Sequence, residues 1–141
     1  MKGLHIITPV KDSIDSTLET VRAIKASKLS VPYKYTIYND FSTPENTARL
    51  TAAARELGFE LVNLCDLTSH PSPNYLLVLQ KTQREALEAD AGLLIVESDV
   101  IVAENTLQDL YDGALQRPDC GIAASVTVDD NGAINYPYLY A

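Results

Sequence analysis

Gly92-Leu93-Leu94-Ile95-Val96-Glu97-Ser98-Asp99 is the stretch on which the reading of this chain turns. Four apolar residues follow a glycine and stop at two carboxylates separated by one residue. So short a continuous apolar run is the pattern of a central strand covered on both faces. Its acidic end places polar groups at the strand's carboxyl end, where open α/β sheets bind ligands. Upstream, Tyr75 to about Asp90 predicts a helix because Leu76, Leu79, Gln83 and Ala86 share a face. Downstream, Leu107, Leu110, Tyr111, Ala114 and Leu115 form one helical stripe that stops near Pro118.

The same alternation extends to both ends. Leu4 to Thr8 predicts a first strand closed by Pro9, and Asp12 or Ser13 caps a helix carrying Ile14, Leu18 and Val21 on one face. Tyr33 to Tyr38 predicts a second strand. Thr43-Pro44-Glu45 then supplies a capping hydroxyl, a proline where no amide donor is needed and a first-turn charge, and Gly58 stops that helix. Phe59 to Leu64 predicts a third strand, Cys65 to Asn74 a loop, Gly121 to Val128 a fifth strand, and Asp129 to Gly132 a turn. The expected fold class is α/β: a doubly wound, mostly parallel, Rossmann-like sheet of about five strands alternating with four helices.

At 141 residues the chain suits one domain, and its formal charge of -8 offers no basic surface for a phosphate backbone, so nucleic acid is excluded as a partner. Cys65 and Cys120 lack metal-ligand spacing and are expected to be buried free thiols. The apolar run before Pro9 is too short for a signal-peptide core or a spanning helix, which sets a cytoplasmic expectation, with at most peripheral contact to a membrane. His5 lies within the first strand and reads as a packed histidine, while His70 sits in a loop without an acidic partner in sequence. Tyr136, Tyr138 and Tyr140 fit either a stacking surface or apolar cover for the sheet.

Three polar clusters fall at strand ends: Thr8 to Asp12, Asn39 to Thr43, and Glu97 to Asp99. Two carboxylates at i and i+2 can turn oxygen donors toward one hard cation and leave its other positions to water or phosphate. Taken alone, an acid-x-acid triplet fits a pair of solvated loop carboxylates equally well.

The order and placement of these clusters resemble the family 2 glycosyltransferases of the GT-A fold. Pro9 and Val10 match part of the family's Ile-Pro-x-Tyr-Asn segment. Asn39-Asp40-Phe41-Ser42-Thr43-Pro44-Glu45-Asn46-Thr47 matches its Asp-Asp-Gly-Ser-Thr-Asp-x-Thr segment, with Asn at the first acid and Phe at the glycine. Glu97-Ser98-Asp99 stands at its Asp-x-Asp motif, and Glu104-Asn105-Thr106-Leu107 looks like its next helix start.

The resemblance implies that the chain, residues 1–141, is a single nucleotide-sugar-binding domain that stops before the acceptor-binding half. It implies transfer of a sugar, with inversion, from a nucleoside diphosphate sugar to a glycan, lipid-linked or other hydroxyl acceptor, in a setting such as polysaccharide biosynthesis. Pro9, Val10, Asn39, Lys81, Glu97 and Ser98 would contact the nucleotide sugar, and Asp99 with Glu97 would hold Mg²⁺ or Mn²⁺. The amide of Asn39 offers a donor and an acceptor where the usual carboxylate only accepts, which bears on base preference. No residue is assigned as general base. The alternative is a non-catalytic nucleotide-sugar-binding module of the same fold. A sugar-nucleotide pyrophosphorylase would carry a glycine-rich loop in place of Thr8 to Asp12, and a phospho-acceptor receiver domain would carry paired acids there.

Overall fold

A computed structural model describes residues 1–135. The elements run β1 (Leu4–Val10), α1 (Ile14–Ala26), β2 (Tyr33–Asn39), α2 (Pro44–Leu57), β3 (Glu60–Asn63), a 3₁₀ turn (Leu64–Asp66), α3 (Tyr75–Glu88), β4 (Gly92–Ile95) and α4 (Thr106–Leu115). The four strands form one parallel sheet in the order β3-β2-β1-β4. The chain therefore winds outward from β1 through β2 to β3, then returns to add β4 on the other side of β1. The point of reversal lies between β1 and β4, and the reversal sends α3 across the opposite face of the sheet from α1 and α2.

Alternation along β1 divides the core accordingly. Leu4, Ile6 and Val10 pack with Ile14, Val21 and Ile24 of α1, Leu50 and Ala53 of α2, and Leu107 and Tyr111 of α4. Ile7 and Tyr38 face the other way, with Leu64 and Val78. Burial of Leu50, Ile37 and Val21, all fully enclosed, contributes roughly 1.5–3 kcal/mol per side chain. Helix α1 presents Thr17 and Thr20 to this core, each donating its hydroxyl to the carbonyl four residues back, so neither carries an unmet donor inside. Leu18, expected on that face, is only partly buried. The predicted ends of α2 hold: the Thr43 hydroxyl accepts from the Asn46 amide, Pro44 opens the helix, and Gly58 closes it in the left-handed conformation.

Four expectations require correction. Among the described residues the sheet has four strands rather than about five, because residues 121–128 form no strand; instead the segment folds back about the Asp129–Gly132 turn, with an isolated bridge from Val128 to Ile134. An apolar β-branched run becomes a strand only where a sheet edge is within reach, and Ile122 stays 91% exposed. Consequently β4 is an edge strand among the described residues, not a central one, and Ile95 is exposed. Helix α3 buries Val78, Thr82 and Ala86 instead of the face through Leu76 and Gln83, since its rotation is set where Asn74, its N-cap residue, is pinned to the sheet. Cys65 is exposed and Cys120 half-buried, though both are free as expected. The three C-terminal tyrosines lie outside the described residues.

His5 is packed, as the sequence suggested. Its Nε2 lies 3.2 Å from the Thr36 hydroxyl, and its Nδ1 lies 3.9 Å from Glu85, whose Oε2 has no hydrogen-bond partner. Burial, with Lys34 and Lys81 adding to it against Glu85 and Glu60, lowers the His5 pKa below its ordinary 6.5. A histidine whose folded pKa is depressed contributes stability that is present above pH 6.5 and lost as pH falls through its folded value. The melting temperature should therefore drop as pH is lowered from about 6.5 toward 5, before carboxylates titrate, and His5→Gln should flatten that slope. Differential scanning calorimetry across this range checks it.

Candidate functional site

The site begins with a proline. Residues of one strand that are two apart address the same sheet edge, and Ile7 accepts from the Val96 amide of the β4 segment at 3.0 Å. The next donor along that edge would be Pro9, which has none. The β1–β4 ladder therefore stops at Ile7 and Ile95, while β1 continues beside β2 as far as Val10 and Asn39. Thus the sequence expectation that Pro9 closes the strand is half right: Pro9 ends one ladder and lies inside the other. β1 and β4 thus part at the reversal point, where the half-buried Pro9 follows the last paired residues of β1, Val10 is buried in the core, and the turn Glu97-Ser98-Asp99 follows β4. Glu97 and Asp99 are exposed, Ser98 is half-buried, and the Val100 amide closes the turn on the Glu97 carbonyl at 3.3 Å.

Two carboxylates build the rest of this edge: Asp40, given no role by the sequence reading, and Asp12, which ties to the start of α2 rather than capping α1, whose N-cap residue Ser13 makes no side-chain capping bond. Asp12, in the left-handed region at φ 63°, accepts from the Thr43 amide at 2.7 Å and the Asn46 amide group at 3.0 Å, and its own amide donates to Ser42 Oγ at 2.8 Å. This ties the loop after β1 to the start of α2. The Thr43 amide above all, then Asn46, holds the Asp12 carboxyl below its usual range. Asp40, buried at the end of β2, accepts from the Asn74 amide, from Asn74 Nδ2 and from Ser72 Oγ, each at 2.8 Å. Burial opposes its ionisation, but the bonds from Asn74 and Ser72 outweigh that and leave its pKa lowered.

The residues assigned from sequence fall into two groups. Pro9, Val10, Glu97, Ser98 and Asp99 lie at the carboxyl ends of two paired parallel strands, β1 and β4. Asn39 is buried at its β2 side, with Nδ2 donating to Thr47 Oγ1 at 2.9 Å and to Asn63 Oδ1 at 2.8 Å, while Oδ1 accepts from the Ser42 amide at 3.1 Å. Lys81 stands on α3 in an ion pair with Glu85, the carboxylate that faces His5 near the start of β1. Phe41 takes φ 59°, a left-handed conformation that suits glycine and costs another residue about 1–2 kcal/mol. Its ring packs against the cluster of Ile7, Tyr38, Leu64 and Val78, which offsets part of that strain. The sequence offered one signal for the Asp40 clasp, an adjacent Asn39-Asp40 doublet whose side chains must point to opposite faces of β2.

No family model matches the chain, and no curated protein does. Solved structures do. Residues 1–349 of TarS from S. aureus give a TM-score of 0.56 at 17% identity, covering 89% of this chain and 39% of that one. Crystal structures of the same TarS fragment with UDP-GlcNAc and with UDP align equally well. The mannosyltransferase PcManGT from Pyrobaculum calidifontis, in complex with GDP-Man and Mn²⁺, gives 0.58 at 18% identity, covering 82% of this chain and 32% of that one. The fold is GT-A-like. The chain spans 39% or less of the length of these structures.

The PcManGT structure holds Mn²⁺, and in this chain the donor set open to such a cation is the pair Glu97 and Asp99. Among the described residues no three His, Cys, Asp or Glu side chains gather as a metal cluster. Glu97 and Asp99 nonetheless present only carboxylate oxygens, in the open, as suits a hard cation that keeps most of its positions for water and phosphate oxygens. No helix among the described residues is long and apolar enough to cross a membrane.

The Asp40 clasp sets the stability of this edge. Asp40→Ala removes the acceptor of three hydrogen bonds and leaves a buried Asn74 amide unmet, so it should cost about 2–3 kcal/mol in urea unfolding. Asp12→Ala, at a half-buried carboxylate, should cost less in the same measurement.

Proposed function

We propose that this chain is the nucleotide-sugar-binding part of a family 2 glycosyltransferase, acting with Mg²⁺ or Mn²⁺ and inverting the anomeric centre. The observation that carries the reading is the parting of β1 and β4 beyond Ile7 and Ile95, which puts Pro9 and the acid-x-acid turn Glu97-Ser98-Asp99 at the carboxyl ends of neighbouring strands at the reversal point. Support comes from the likeness to folds solved with UDP-GlcNAc and with GDP-Man and Mn²⁺.

In this reading the half-buried Pro9 offers the apolar contact to the nucleoside, while Val10 supports it from the core, its side chain being buried there. Asp99, with Glu97, would hold the cation, and Ser98 lies between them to reach a ribose or phosphate oxygen. When bound, the cation stabilises the charge that develops on the departing diphosphate. The chain's own negative charge then serves binding, because an acidic wall takes an anionic donor only together with a cation. Asn39 contributes by fixing the loop after β2, since its amide is engaged on three sides, and it would address a base only by giving up one of those bonds. Lys81 would reach a diphosphate only by leaving Glu85. Acceptor binding and the general base are assigned to the part of such enzymes that has no counterpart in this chain.

A second reading, a nucleotide-sugar-binding module without turnover, is favoured by the full engagement of Asn39 at the position where the family's motif carries an acid. Donor hydrolysis separates the two: a module binds the sugar nucleotide and leaves it intact.

Calorimetric titration of UDP and GDP, with and without Mn²⁺, tests the proposal. Binding should require Mn²⁺, and Asp99→Ala should weaken it at least about tenfold, or ~1.4 kcal/mol. Failure of both nucleotides to bind the wild-type chain would leave the fold without this function.

A further inference from the structure

The start of α3 links the end of β2 to the turn after β4. Asn74 is tied to the end of β2 through Asp40, and the next residue, Tyr75, donates its hydroxyl to Glu97 Oε1 at 3.1 Å, at the turn after β4. The two contacts are adjacent in sequence and reach opposite ends of the same edge. A hydroxyl held this way limits the positions open to a side chain that is otherwise solvent-exposed and free to rotate.

We infer that Tyr75 is a positioning residue for Glu97: the Asp40–Asn74 clasp carries its hydroxyl to one carboxylate oxygen and leaves the other turned out for a divalent cation. The inference rests on the nucleotide-sugar reading and names a residue that the sequence pattern does not. Among the described residues Glu97 Oε2 has no hydrogen-bond partner, whereas Oε1 is taken by Tyr75. Orienting a carboxylate through one oxygen cuts the conformational freedom that cation binding would otherwise have to remove. Tyr75 is partly exposed, and phenylalanine keeps its ring contacts, so the hydroxyl can be removed without opening a cavity.

The test uses the whole chain and the same titrations of UDP and GDP, applied to wild type, Tyr75→Phe, Glu97→Ala and the double variant. Tyr75→Phe should weaken the Mn²⁺-dependent binding about tenfold while leaving metal-free binding and the thermal midpoint as in wild type. In the Glu97→Ala background the same substitution should have no further effect, because the hydroxyl acts only through that carboxylate. Full Mn²⁺-dependent affinity in Tyr75→Phe, or an equal loss with and without Glu97, would overturn the inference and leave the nucleotide reading standing. Absence of Mn²⁺-dependent binding in the wild type would remove both.

Discussion

A missing hydrogen-bond donor shapes the working edge of this protein. Strand β1 is an interior strand, paired with β2 on one side and β4 on the other, and its residues address these two neighbours alternately. At Pro9 the edge facing β4 runs out of donors, so β4 departs while β2 stays for three more residues. A parallel sheet that reverses its winding direction opens at the reversal in any case. Here the proline fixes how far from the strand end the opening begins. The acid-x-acid turn after β4 takes its place from that departure.

The polar residues around the opening do two different kinds of work. Asp12, Asn39 and Asp40 are consumed by the protein: each meets backbone amides or side-chain amides and holds one loop to another. Glu97 and Asp99 are left largely to solvent. In a sequence all five look alike, as polar residues following apolar runs. What separates them is the supply of nearby donors. The N-terminus of α2 and the loop before α3 offer free N–H groups to the first three, while the turn after β4 offers only the Tyr75 hydroxyl. Carboxylates that meet several donors become structural ties, and those that meet one or none remain open to a cation.

Much of the fold was legible because local signals agreed. Thr43-Pro44-Glu45 and Gly58 bracket α2, and the first three strands lie within a residue or two of where β-branched and apolar runs place them. The misreadings share a cause. The run Gly92 to Val96 carries the composition of a strand covered on both faces, yet it stands at the edge among the described residues, because whether an apolar strand is central depends on what pairs with it. Residues 121–128 have strand composition but, among the described residues, pair only through the isolated bridge of Val128 with Ile134 and join no sheet edge. Helix α3 has the expected extent and a different buried face, since a contact at its first turn outweighs the small energetic difference between neighbouring apolar stripes.

By itself the sequence determined the alternating α/β order, most element boundaries and the chemistry at the strand ends, because caps, proline, glycine and apolar periodicity all act within a few residues. It also placed Pro9, Val10 and the Glu97 to Asp99 turn at one end of the sheet, as parallel strands put all their carboxyl ends together. Only the tertiary structure decided which of the polar residues there are spent and which are free. That outcome depends on hydrogen bonds between residues some 20 to 35 positions apart, such as Asp12 with Thr43, Asp40 with Asn74 and Tyr75 with Glu97. No local rule carries that information, because the donor that claims each carboxylate arrives from another loop.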